Sequence, residues 1–565
     1  MVLMENLREE ILRWALVNAR EHGSADASAV IKRILAEHPS LRSRVREILE
    51  AVREVVAQVN SMTVEERERR LSEVGLPEKR GEERRQGLPD LPGARQGYVV
   101  TRFAPNPNGP LHLGNARAAI LSHEYARRYG GRFILRFEDT NPEKVQLEMY
   151  DYIKRDLRWL GLKWDEEHVQ SERLPIYYEY AERLIAEGRA YVCTCRPEDF
   201  KRLREDGEPC PCRGRGPDEN LRMWERMIAG DLGEGEAVLR IKTDLGHPNP
   251  AVRDWPACRI VETPHPRAGE RWRVWPLYNF AAAIDDHEMG VTHIFRGKEH
   301  EVNEQCQKTL YEHLGWTYPV AVQYGRLNMP GVMLSKTQIV RAVKEGEISG
   351  YDDVRLATLA ALRRRGFLPE AIKRVILDVG LTLVDSQLSW ETICAANRKL
   401  VDAIADRYFF VSRPVRLTVS SAPPLAEVRL RLHPSREEAG ERIVPLRREG
   451  GNLVFFIEES DVAGIREGEV FRLKDLMNVR LVRRETSGLI GDFAGMGVAE
   501  VPKIHWVPAG AVEMDVLMPD GSTLSGLAEP AVLSVAPGSV IQFERFGFVR
   551  VERLSPRPLT VFTHR

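Results

Sequence analysis

Two short segments carry side chains suited to binding phosphate. In the first, residues 101 to 116, a strand-like run from Tyr98 to Phe103 passes through a Pro/Asn/Gly turn into a helix-like run from Ala116 to Tyr129. A strand feeding a helix leaves the first helical N–H groups unpaired and aims the positive end of the helix dipole at the strand ends, which favours an anion there. Gly109 and Gly114 let backbone approach a ligand, Pro105, Pro107 and Pro110 stiffen the turn, and His112 and Asn115 offer hydrogen bonds. Neither G-x-x-x-x-G-K-S/T nor G-x-G-x-x-G occurs, so this is no P-loop and no dinucleotide fingerprint. In the second segment, Met333 to Thr337 follows a strand-like run from Val320 to Leu327 and a Met-Pro-Gly turn, making Lys336 a mobile cation able to reach a triphosphate.

A third group has metal-ligand spacing. Cys193 and Cys195 form one C-x-C pair, Cys210 and Cys212 another, whereas Cys258, Cys306 and Cys394 stand alone. In a reducing compartment four thiolates suit a closed tetrahedral zinc site better than disulfides. Asp285, Asp286 and His287 are not read as a metal site, because three adjacent helical residues point to different faces. Arg102 and Glu138 end neighbouring strands, where they face a ligand or pair with each other.

The elements that must position these groups can be read in order. The 565 residues, 43% hydrophobic and 29% charged, suit a soluble protein of several domains. No membrane span or targeting segment is read, so a cytosolic location is expected. A net charge of −1 means that any polyanion must meet a local basic face. Residues 1–96 read as a helical appendage with breaks at Gly23 and Pro39, then a charged linker from 63. A βαβ unit spans 97–192, its second strand running from Arg132 to Phe137; 193–270 is an insertion, and 271–345 completes the fold with a strand from Val291 to Arg296. Residues 346–412 read as helical, with Arg363, Arg364 and Arg365 facing either nucleic-acid phosphate or solvent. From 413 to 565, short alternating runs broken by Gly and Pro read as β-barrels.

Together, His112-Leu113-Gly114-Asn115 and Met333-Leu334-Ser335-Lys336-Thr337 resemble the HIGH and KMSKS signatures of class I aminoacyl-tRNA synthetases, in the glutamyl/glutaminyl branch. Met333 departs from the pattern where a first lysine usually stands, leaving Lys336 as the cation. The resemblance implies a multidomain α/β plus all-β protein: a Rossmann-type catalytic domain, an insertion that grips the tRNA acceptor end, a helical connection and two anticodon-binding barrels. The barrels, with Lys503 to Val507 and Gln542 to Gly547 as their recognisable pieces, resemble those of glutaminyl and archaeal/eukaryotic glutamyl enzymes.

The same resemblance implies ATP binding by Pro105, Gly114, Asn115, Leu327, Ser335 and Lys336, with His112, Asn115 and Lys336 acting on the reacting phosphate, and Mg²⁺ accompanying ATP. It implies glutamate binding by Arg102, Ala104, Glu138, Tyr278 and Arg296, and a zinc knuckle at Cys193, Cys195, Cys210 and Cys212. Glutamyl enzymes resemble this chain in having an arginine at the place of Arg296, where glutaminyl enzymes have a small neutral residue. A buried guanidinium facing a neutral amide loses its counter-charge, on the order of 3–5 kcal/mol, which selects glutamate. The implied activity is two-step ligation of L-glutamate to tRNA(Glu) through glutamyl-adenylate by a monomer, with tRNA(Gln) left open as a second acceptor.

Overall fold

The computed structural model describes residues 2–37, 45–74 and 88–565, which fall into two compact units, 1–87 and 88–565. In the first unit, helices Val2–His22, Ala27–Glu37, Val45–Asn60 and Val64–Val74 bury Ile11, Leu16, Ile34, Val52 and Val59. The last of these helices starts with a capping box: Thr63 N–H donates to Glu66 at 2.8 Å and Glu66 N–H to Thr63 Oγ1 at 3.3 Å. The helical reading thus holds there, while the break expected at Pro39 and the linker over 75–87 lie outside the described residues.

In the second unit, strands Val100–Phe103, Arg132–Phe137 and Glu166–Val169 pair in parallel, with Arg102 opposite Ile134. His293–Gly297 and Val320–Tyr324 form a second parallel pair. The two sets meet where the Thr292 N–H donates to the Val100 carbonyl at 2.9 Å. This junction between the first strand and the strand that follows the insertion is where the strand order reverses, so a crevice opens beyond the carboxyl ends of Val100–Phe103 and His293–Gly297. Helix Leu113–Arg128 packs on this sheet through Ala116, Ala119 and Ile120. The interrupting segment builds its own antiparallel sheet from Ala190–Cys193, Val238–Ile241, Pro256–Ile260 and Val274–Pro276, flanked by helices Leu174–Ala186 and Pro217–Ala229.

Helices Leu359–Arg364, Pro369–Val379 and Trp390–Val401 lead to two barrels. In each, a short segment pairs with both ends of the strand path and closes it. Lys503–Ile504 pairs with Val470–Leu473 while Trp506–Pro508 pairs with Asn452–Glu458, and Arg407–Tyr408 pairs with Val540–Phe543 while Phe410–Val411 pairs with Thr523–Ala528. Closure removes the exposed edges that open sheets must protect. The two closing segments touch each other through His505 Nε2 and the Phe410 carbonyl, 2.8 Å apart.

The arginine run takes neither course expected of it. Arg363 pairs with Asp156 at 3.3 Å, Arg364 with Glu552 at 2.9 Å, and Arg365 donates to the Thr563 carbonyl at 3.0 Å. These charges fasten the helices to the catalytic fold and the second barrel because buried carbonyls and carboxylates need donors. No helix among the described residues is long and apolar enough to cross a membrane.

Candidate active site

A cavity of about 580 Å³ occupies the crevice, lined by Arg102, Ala104, Pro105, His112, Gly114, Asn115, Glu138, Tyr278, Arg296, Leu327 and Lys336 among others. Of the expected ATP and glutamate residues only Ser335 stays outside it. Ser335 precedes helix Lys336–Lys344, and its hydroxyl is directed at the Gln338 N–H, 3.5 Å away, as a cap.

At the phosphate end, His112 caps helix Leu113–Arg128: its Nδ1 accepts the Gly114 N–H at 3.1 Å, and its own N–H donates to Asn115 Oδ1 at 3.3 Å. This reciprocal box leaves the His112 Nε2 edge and the Asn115 amide N–H groups for a ligand. Burial, aided by the charge of Lys336, pulls the His112 imidazole down to about 4, so it is neutral at pH 7 and, with Nδ1 accepting, carries its hydrogen on Nε2. Lys336, expected on a mobile loop, is instead the first residue of a helix, and its Nζ donates to the Asn106 carbonyl at 3.1 Å. With no carboxylate beside it, burial lowers its pKa to about 8. The two motifs thus touch. Met333 packs against the apolar cluster of Ile339, Leu356 and Ala361.

At the other end Arg102 and Arg296 already have carboxylates. Arg102 does not pair with Glu138: its Nε donates to Asp286 Oδ1 at 3.0 Å, while Glu138 accepts from Arg136 at 3.0 Å. Arg136, fully buried, also donates to Asp286 at 2.7 Å. Burial opposes charge on Asp286, but Arg102 and Arg136 outweigh it and hold the carboxyl below its usual range. Glu138 lies above its range because burial outweighs Arg136 and Arg102, and burial, with Glu138, raises the Tyr278 phenol. Asp285, 3.9 Å from Arg136 Nε, takes its hydrogen bonds elsewhere, from Arg173 at 2.8 Å, Tyr177 at 2.7 Å and Gln170 at 2.9 Å.

Arg296 departs from the expectation that the substrate alone would supply its counter-charge. It donates to Gln307 Oε1 at 3.0 Å, Glu304 at 3.1 Å and the Tyr318 hydroxyl at 2.7 Å, and only its buried Nε lacks a partner. Replacing a glutamate ligand by glutamine would not strip this guanidinium of all counter-charge, so the discrimination falls below the 3–5 kcal/mol argued for an unpaired ion.

Matches to known proteins fall on the same architecture. Residues 98–403 match the family described as tRNA synthetases class I (E and Q), catalytic domain; 405–492 and 503–552 match its two anti-codon binding domain families. The chain belongs to the class I glutamyl/glutaminyl tRNA synthetases. It is 49% identical to the glutamate–tRNA ligase of Pyrococcus furiosus, over 98% of this chain and 99% of that one. It is 48% identical to that of Thermococcus kodakarensis, over the full length of both, and 50% identical to that of Pyrococcus abyssi, over 98% and 99%.

In this synthetase the four cysteines of the insertion converge, with all four sulfurs within 4.8 Å of one another. Cys193 and Cys210 are 3.9 Å apart, Cys195 and Cys212 3.7 Å. A tetrahedron with metal–sulfur bonds of about 2.3 Å has sulfur–sulfur edges of about 3.8 Å, close to the two shortest separations here, so the donor set fits zinc. Tyr191 and Phe200 close over it, and the Tyr191 hydroxyl donates to Asp254 at 2.8 Å.

The residues missed from sequence are Arg136, Asp286, Glu304, Gln307 and Tyr318. A signal existed for one of them: Arg136 sits in Arg132–Phe137, a run otherwise apolar after its first residue, and a charge in a strand buried on both faces demands an ion partner. Asp286 stands out only within the run Asp285-Asp286-His287, and the other three come from helix Glu301–Leu314 and the loop after it, with nothing local to mark them.

Proposed function

We propose that this protein ligates L-glutamate to tRNA(Glu) at the expense of ATP. What carries the reading is the shared cavity: a phosphate-binding helix start with His112 and Lys336 opens onto a charged socket of Arg102, Glu138, Tyr278 and Arg296. A zwitterion with a second carboxylate needs an anion for its ammonium and donors for its side chain, and Glu138 and Arg296 offer these.

With ATP's phosphates at the start of helix Leu113–Arg128, the substrate α-carboxylate attacks the α-phosphorus. The bond to the β,γ-diphosphate breaks, giving glutamyl-adenylate and pyrophosphate. Neutral His112 Nε2–H, the Asn115 amide and the Lys336 ammonium meet the developing negative charge, and no side chain need act as nucleophile. Mg²⁺ entering with ATP supplies further charge neutralisation. A terminal ribose hydroxyl of tRNA then attacks the acyl carbon, releasing AMP. Cys193, Cys195, Cys210 and Cys212 would hold zinc in a closed site that folds the insertion and takes no part in the chemistry.

We read the chain as a cytosolic monomer, with tRNA(Gln) as a second acceptor to be tested. The deciding experiment is aminoacylation of purified tRNA(Glu) and tRNA(Gln) with labelled glutamate and, separately, glutamine. Glutamate charging establishes the activity and its tRNA range; glutamine charging alone overturns the assignment.

A further inference from the structure

Each carboxylate that meets a cation of the amino-acid end has a count to satisfy. Arg102, Arg136 and Arg296 face Asp286, Glu138 and Glu304, and Asp285, 3.9 Å from Arg136, is matched by Arg173 at 2.8 Å; four stand against four, and this socket by itself is neutral. Burial keeps the nearby His300 below its ordinary pKa, so it adds no cation. A neutral socket is a poor receptor for an amino acid whose second carboxylate makes it a net anion. The missing positive charge stands one step back. Lys308, half exposed and one helical turn from Glu304, places its Nζ 2.8 Å from Glu304 Oε1. The other oxygen, Oε2, accepts from Arg296 Nη2 at 3.1 Å and from Gln323 at 2.8 Å.

We propose that Lys308, Glu304 and Arg296 act as one unit that sets the charge of the side-chain receptor, with Lys308 a specificity-determining positioning residue that never touches the substrate. By holding half of the Glu304 carboxylate, Lys308 keeps that carboxylate from quenching Arg296, and the trio faces the substrate with one net positive charge. Arg296 lines the cavity, and its buried Nε–H is a donor without an acceptor. A side-chain carboxylate satisfies both the donor and the charge; a side-chain amide satisfies only the donor.

This rests on the glutamate-ligating reading, and the test separates the two. KM for L-glutamate is measured by aminoacylation of tRNA(Glu) in the wild type, Lys308→Met, Glu304→Gln, the double variant and Lys308→Arg, each with a melting curve. Charge counting predicts opposite signs. Lys308→Met makes the trio neutral and raises KM about threefold, modest because water screens a half-exposed ion. Glu304→Gln raises the net charge to two and lowers KM about threefold or more, because the buried guanidinium then depends on the substrate for its counter-ion. The double variant returns near the wild-type value, and Lys308→Arg restores it. KM for ATP stays put throughout. A purely structural role for Glu304 would raise KM in both single variants, and that result overturns the inference, as does an unchanged KM in Lys308→Met. Should Glu304→Gln fail to fold, Lys308→Met against Lys308→Arg decides alone. A wild-type protein that charges no glutamate at all overturns the functional reading, and this inference with it.

Discussion

Lys336 offers the most direct test of the phosphate site, because its titration falls within reach of an assay. Its Nζ is partly buried, donates only to the Asn106 carbonyl at 3.1 Å and the Asn108 side chain at 3.5 Å, and meets no carboxylate. Burial therefore lowers its pKa from the usual 10.5 to about 8. With that value the ammonium is about nine-tenths formed at pH 7 and about one-tenth formed at pH 9, so kcat/KM for ATP, which reports the free enzyme, falls about tenfold between them. Pyrophosphate exchange with tRNA present is the appropriate assay, since the aminoacyl ester hydrolyses at high pH. Lys336→Arg, whose guanidinium stays charged, lowers the overall rate but removes the alkaline limb; Lys336→Ala lowers kcat about 10²–10³-fold. An alkaline limb unchanged in Lys336→Arg refutes the assignment.

The same shift has a stability consequence of definite sign. A lysine whose folded pKa lies below its unfolded value penalises folding while both states are protonated, below about pH 8, and the penalty fades as pH rises toward 10.5. Lys336→Met should therefore be more stable than the wild type at pH 7, by about 1–3 kcal/mol once partial exposure is allowed for, with the gap closing by pH 10. The cationic form is uncomfortable in the empty cavity and relieved by phosphate, as a group reserved for an anionic ligand should be.

Three further outcomes are expected. Cys212→Ser reduces bound zinc from about one per chain to none by atomic absorption, and lowers the melting temperature with a rise in KM for tRNA but not for ATP. Asp286→Ala leaves Arg102 and Arg136 without their shared carboxylate and costs about 3–5 kcal/mol in urea unfolding, Asp286→Asn costing less. Burial, only partly offset by Arg363 and Arg155, raises Asp156 to about 7, so the folded state binds a proton that the unfolded chain has lost between about pH 4 and 7. Stability contributed by that group falls as pH rises through this window, and the wild-type minus Asp156→Asn difference in unfolding free energy should shrink toward alkaline pH.

How far the chain could be read in advance depended on how local the deciding contact was. The start of helix Leu113–Arg128 was legible because its cap lies within four residues, from His112 to Asn115. The cysteine cluster was legible because two short C-x-C pairs need meet only each other. Arg102 lines the cavity, yet its partner, Asp286, lies 184 residues away on the far side of the insertion, whereas proximity in sequence favours Glu138. The arginines at 363–365 show the same limit: a run of like charge reads as a surface, whereas Asp156 comes from the catalytic fold and Glu552 and Thr563 from the second barrel, all far away in sequence.

Asp285 and Asp286 turn one such reading into a mechanism. Adjacent residues on helix Tyr278–Glu288 diverge by about 100°. The same divergence lets one helix serve two neighbours. Asp286 looks toward the sheet and fixes Arg102 and Arg136 from strands formed before the insertion, while Asp285 looks toward Gln170, Arg173 and Tyr177, where the chain leaves for the insertion. The half of the fold that resumes after the insertion is thereby clamped to the half that precedes it by two buried carboxylates, and Tyr278, at the start of the same helix, is delivered to the cavity by that clamp. An insertion of this size is compatible with a rigid amino-acid socket because the charges that order the socket do not pass through the insertion; they close directly across its base.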